Sequence, residues 1–143
     1  MSGDFVVLDS GPFSLFCLER NDTTTDKLMT YIKTRVAIGA TLAVPLTVIA
    51  ETARGQYASA VRRVVNSGRV ITLPLDVSGS LAIGDLLHRH GLDSQHFVDA
   101  SVIVSAATLD GTVTIVTGDF SDLDNLSLGD KRIKIRGVST LDQ

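Results

Sequence analysis

Asp99 has surroundings that leave a charge nowhere comfortable to sit. It lies in Phe97-Val98-Asp99-Ala100-Ser101-Val102-Ile103-Val104-Ser105-Ala106-Ala107, an almost unbroken run of apolar and small residues. Such a run reads as a helix buried on most sides. A carboxylate in its first turn must be protonated, paired or bound to a cation, because burying it bare is very costly. Three further acids stand where the chain can carry them to the same place. Asp9 follows Phe5-Val6-Val7-Leu8, Glu51 follows Val48-Ile49-Ala50, and Asp119 follows Ile115-Val116-Thr117-Gly118. Like charges a few ångströms apart raise one another's pKa. Hard divalent cations resolve that repulsion, and an all-oxygen carboxylate set suits Mg2+ or Mn2+. A water on such an ion can become a nucleophile while the metal stabilises charge on a phosphate. The four acids together predict metal-assisted hydrolysis.

The elements that must position these acids follow from the hydrophobic pattern. Residues 5–9 and 113–117 are short apolar runs rich in β-branched side chains, the habit of strands buried on both faces in a parallel sheet. Residues 41–44 and 69–73 read as further strands, and residues 131–136 alternate Ile133 and Ile135 with basic side chains, as a half-exposed edge strand does. Asp9-Ser10-Gly11-Pro12 reads as a turn before a short apolar segment, residues 13–18. Thr23 with Asp26 resembles a capping box opening a helix with Leu28, Met29, Ile32 and Val36 on one face. A second helix opens at Pro45 or Thr47 and is ended or bent by Arg54-Gly55. Tyr57, Val61, Val64 and Val65 mark a third. Asp76 or Ser78 caps a fourth, and Asp93 or Ser94 caps the one holding Asp99. Strands alternating with helices predict an α/β fold with a parallel sheet and right-handed crossovers. Strand ends and helix starts then share one sheet edge, where open α/β sheets bind ligands. With Asp9 and Asp119 at strand ends, and Glu51 and Asp99 near helix starts, all four acids meet at one rim.

Bulk properties narrow the classes. The 143 residues suffice for one domain, residues 1–143, and 44% apolar against 20% charged residues is an ordinary globular balance. One cysteine, Cys17, gives no disulfide framework and suits a reducing cytoplasm. No apolar run is long enough for a membrane helix, and the N-terminus lacks a basic leader, so the expected location is cytoplasmic. A net charge of −3 supplies no bulk attraction for nucleic acid, though a local basic face can serve. Arg54, Arg62, Arg63 and Arg69 are the candidates for such contacts, with solvated helix charge as the plainer reading. His88, His90 and His96 show no helical His-x-x-x-His metal pair. Ser10 lacks a nucleophile-elbow sequence. Each acid also has a structural reading: an Asx turn for Asp9, a solvated helix position for Glu51, a buried first-turn acid for Asp99, a helix cap for Asp119. Their joint arrival at one edge is what favours chemistry.

The stretches Val7-Leu8-Asp9-Ser10-Gly11-Pro12, Ile49-Ala50-Glu51, Phe97-Val98-Asp99-Ala100-Ser101 and Val116-Thr117-Gly118-Asp119-Phe120 resemble, in order and spacing, the motifs of a PIN domain. The nearest likeness is to single-domain VapC-type toxin ribonucleases of bacterial toxin–antitoxin modules, over residues 5 to about 136. The resemblance implies a PIN-like three-layer α/β/α sandwich with a central, mainly parallel sheet. It implies a Mg2+- or Mn2+-dependent endoribonuclease in which Asp9, Glu51, Asp99 and Asp119 are the metal-binding and catalytic acids. Thr117 matches the hydroxyl residue beside the last acid, and Asp122 a less regular extra acid. Homodimers, an RNA substrate and a cognate antitoxin reaching the active-site groove are implied as well. Gly118 departs from the polar or basic residue frequent at that position. Two rivals stand beside this reading. One is a DNA nuclease or phosphatase on the same scaffold; the other is a binding module without catalysis, against which the intact set of acids argues.

Overall fold

The computed structural model describes residues 3–127 and 129–141. Five strands form one sheet among them: β1 (Gly3–Leu8), β2 (Thr41–Pro45), β3 (Ile71–Leu73), β4 (Gly111–Thr117) and β5 (Ile133–Gly137). Their order is β3-β2-β1-β4-β5, and every pairing is parallel. Val6, Val7 and Leu8 of β1 are completely buried, as are Ile115 and Val116 of β4. Such unbroken burial requires a strand on each side and helices over both faces.

Seven helices supply that cover: α1 (Ser10–Leu18), α2 (Thr23–Ala37), α3 (Leu46–Thr52), α4 (Ala58–Asn66), α5 (Val77–Arg89), α6 (Phe97–Ala107) and α7 (Phe120–Leu126). Right-handed crossovers put the helices joining β1, β2 and β3 on one face and those joining β3, β4 and β5 on the other. In keeping with this, α1 packs on α2, α3 and α4, while α6 packs on α5 and α7. The result is the expected three-layer α/β/α sandwich. From β1 the chain winds outward to β2 and β3, then returns to β4 on the opposite side. The gap between the C-terminal ends of β1 and β4 is therefore the topological switch point, the usual ligand site of such sheets.

Local details differ from the sequence reading in four places. Ser10-Gly11-Pro12 is the first turn of α1 and not a turn before it, because proline tolerates a helix's first turn and the Asp9 carboxylate caps the Ser10 N–H. Asp22, not Thr23, caps α2, accepting from the Thr25 N–H at 2.7 Å. Asp93 caps a separate 3-10 turn, Ser94–His96, after which α6 begins. Glu51 is the penultimate residue of α3 and is not near its start. That helix is short because Arg54 is extended and Gly55 sits at φ +56°.

At the N-terminal end of β1 Nη2 of Arg35, on α2, donates to both oxygens of Asp4 at 2.9 and 2.7 Å, and Thr112 of β4 donates to the same carboxylate at 3.0 Å. Burial works to raise the Asp4 pKa, but these hydrogen bonds and the charge of Arg35 outweigh it and hold it below its ordinary value. Gly111 opens β4 against this end of β1, at φ +145°, and a Cβ there would lie 2.0 Å from the Gly3 carbonyl oxygen. Gly111→Ala is expected to cost about 1–3 kcal/mol. Thermal unfolding should show this as a loss of roughly 2–12 °C.

Candidate functional site

Asp9 is only 7% exposed, and both of its carboxylate oxygens are engaged. Oδ1 accepts the Ser10 N–H at 2.8 Å and Oδ2 accepts the Thr117 hydroxyl at 2.8 Å. The β1–β4 register, with Leu8 opposite Val116, brings the residues that follow these strands side by side. Thr117, itself fully buried, then accepts the Asp119 N–H on its Oγ1 at 2.9 Å. Burial raises the Asp9 pKa; the hydrogen bonds from Thr117 and Ser10 pull against it, and the charge of Glu51 adds to the rise.

Asp99 stands in the first turn of α6 with its side chain 22% exposed. Its pKa is pushed up to about 6, first by burial and then by the negative charges of Asp9, Asp119 and Asp122, with His96 opposing. The start of α6 is held against α3 through Ser101, whose hydroxyl donates to the Val98 carbonyl and lies 2.6 Å from the Thr47 hydroxyl. Asp119 precedes α7 without capping it. Its carboxyl shares a hydrogen bond with Asp122, which raises its pKa; burial and the charges of Asp122 and Asp9 act the same way.

The charges of Asp9, Asp119 and Asp122 all act on Asp99 at this edge, while the acids whose ligand atoms fall within 4.8 Å of one another, together with His96, are Asp99 and Asp122. Glu51, exposed like Asp119, acts on Asp9 through its charge but is not among the charges that raise Asp99 or Asp119. It borders a cavity of about 510 Å3 that Ser10, Ser14, Thr52, Arg54 and Tyr57 also line. Arg63 and Arg69 are used elsewhere: Arg63 donates to the Cys17 carbonyl, and Arg69 pairs with Glu19 and lies over the Phe16 ring.

His96 was set aside in reading the sequence, yet it belongs to this group. Its Nδ1 lies 3.7 Å from Asp99 Oδ2, and one ligand atom from each of His96, Asp99 and Asp122 falls within 4.8 Å of the others. The spacing His96-x-x-Asp99 across a helix start was the available signal. The donor set, two carboxylates and an imidazole, fits a divalent cation. Carboxylates that raise one another's pKa are stabilised as anions once a positive ion lies among them.

Sheet order and helical layers define the class, a PIN-like α/β/α fold. No protein-family model matches the chain, and no curated protein sequence does. Among solved structures it is similar to a chain of VapBC2 from Rickettsia felis, crystallised bound to a DNA fragment from its promoter. The TM-score is 0.64 at 14% identity, over 93% of this chain and 98% of that one. At that identity the likeness is one of fold. Among the described residues no helix is long and apolar enough to cross a membrane.

The raised Asp99 pKa sets a sign for stability. Below about pH 4 this carboxyl is neutral in both folded and unfolded chains; as pH climbs toward 6 the unfolded chain ionises while the fold still favours the proton. The metal-free protein therefore loses stability as pH rises through that window. Asp99→Asn is expected to raise the EDTA-treated melting temperature by a few degrees at pH 7.5 and to leave it nearly unchanged at pH 3.5. Differential scanning calorimetry at the two pH values checks this.

Proposed function

We propose that this protein is a Mg2+- or Mn2+-dependent endoribonuclease, the toxin of a VapBC-type toxin–antitoxin module, acting in the cytoplasm as a single PIN-like domain. The observation that carries the reading is that Asp99 is raised by the charges of Asp9, Asp119 and Asp122, and Asp119 by those of Asp122 and Asp9, at the C-terminal edge of the sheet. It is supported by a fold similar to that of a chain in VapBC2. A bound divalent ion would supply charge to offset a phosphate and lower the pKa of a coordinated water.

The chain's own contribution is positioning. Asp9, Asp99 and Asp119 would hold the ion, with the Thr117 hydroxyl fixing the face that Asp9 offers. Glu51 would orient the attacking water. The cavity next to Glu51 suits a nucleotide of the substrate strand: the Arg54 guanidinium for a phosphate, the Tyr57 ring for a base, the Ser10 and Ser14 hydroxyls for polar contacts. The same reading includes an antitoxin that fills this groove and a homodimer. Val77 and Leu81, one turn apart and largely exposed on α5, offer apolar surface that a protein contact would cover.

The test is cleavage of total bacterial RNA by purified, antitoxin-free protein with Mn2+, Mg2+ or EDTA. Discrete fragments are expected with either metal and none with EDTA. Asp9→Asn and Asp99→Asn should slow cleavage about 10²- to 10⁴-fold while circular dichroism stays unchanged. Full activity in Asp99→Asn would remove that residue from the site. Intact RNA alongside cleaved flapped DNA, or a hydrolysed phosphomonoester, would move the protein to the rival enzymes, and no hydrolysis of any of them to the binding module.

A further inference from the structure

We propose that His96 is a metal ligand, and that His96, Asp99 and Asp122 form a mixed nitrogen–oxygen position selecting a first-row transition ion, Mn2+ over Mg2+. The inference rests on the metal-dependent reading above and specifies which ion the site prefers. First-row divalent ions sit about 2.0–2.2 Å from nitrogen and oxygen ligands, so ligand atoms around one ion lie roughly 3–4.4 Å apart. The three candidate atoms already lie within 4.8 Å of one another, and His96 Nδ1 is 3.7 Å from Asp99 Oδ2. The His96–Asp99 separation already falls in that range, and side-chain rotation of Asp122 would bring the third atom into it.

Two independent features point the same way. The 3-10 turn Ser94–His96 is closed by the Asp93 cap and runs directly into α6, which holds the imidazole one turn before Asp99 instead of leaving it on a free loop. His96 and Asp122 also line a cavity of about 310 Å3 together with His90, Leu92, Asn125 and Leu126, so the position is open to an arriving ion. The chemistry of the donors supplies the selectivity. Mg2+ takes oxygen ligands and gains little from an imidazole, whereas first-row transition ions gain from a nitrogen donor, Mn2+ least among them and its heavier neighbours more. Asp99 is common to this trio and to the carboxylate set, so an ion held here would lie beside the acids at the sheet edge.

The experiment pairs calorimetric titration of the metal-free protein with Mn2+ and with Mg2+ with pulsed EPR of the Mn2+-loaded protein, for the wild type and His96→Gln. In the wild type, Mn2+ is expected to bind about tenfold or more tightly than Mg2+, with 14N modulation from a coordinated imidazole. In His96→Gln that modulation should vanish and Mn2+ affinity should fall about 10- to 100-fold, while Mg2+ affinity changes little. Absence of 14N modulation in the wild type overturns the proposal, whether or not the variant folds. Modulation that persists in His96→Gln also overturns it and assigns the nitrogen to another histidine, such as His90. The readout does not depend on RNA. Mn2+ bound through His96 without any cleavage would uphold the ligand and sink the nuclease reading; cleavage with equal Mn2+ and Mg2+ affinity would do the reverse.

Discussion

The site depends on how the Asp9 carboxylate is held. A buried carboxylate survives as part of a fold only if its oxygens are satisfied, and Asp9 achieves this with a backbone amide on one oxygen and the Thr117 hydroxyl on the other. The same hydroxyl receives the Asp119 amide, so one oxygen atom of β4 orients the residues that follow both central strands. This relay exists because β1 and β4 pair in the register that sets Leu8 against Val116. A slip of that register would separate the acids without unfolding either strand.

The two ends of β1 treat a carboxylate in opposite ways. Asp4, at the N-terminal end, has its charge answered within the fold by Arg35, and its pKa is lowered. Asp9, at the C-terminal end, meets an amide, a hydroxyl and another acid, and its pKa is raised. The chain therefore has the means to neutralise an acid at a strand end and applies it at one edge only. Electrostatic strain concentrated on the other edge costs stability, and such uncompensated strain is characteristic of functional sites.

Much of this was legible in the residues, for physical reasons that also explain the gaps. Strands buried on both faces announce themselves as apolar runs, so β1 and β4 were visible, and with them the strand-end positions of Asp9 and Asp119. Asp99 was visible because an acid among Val98, Ala100, Val102 and Ile103 must be protonated, paired or bound to a cation. Both ends of the helix holding Glu51 are readable, Pro45 at the start and Arg54-Gly55 at the stop, but the helix is only seven residues long, which puts Glu51 in its last turn and not near its start. α1 was hidden by Gly11 and Pro12, a turn-like pair that a helix's first turn also accepts. His96 became a neighbour of Asp122 only once α6 and α7 packed together, and no local pattern in the sequence encodes that contact.

The position of β4 in the sheet carries one more consequence. β4 is neighbour to β1 in space, yet the Thr117 hydroxyl that grips Asp9 lies 108 residues further along the chain. Contacts of such long sequence separation are slow to form and appear late in folding. Synthesis delivers β1, α1, β2 and β3 well before their central partner exists, and during that interval Asp9 faces water and Asp99 has yet to be docked. The rim is consequently among the last parts of the molecule to come into being. A ribosome making this chain spends most of its time beside a precursor whose acids have not yet met.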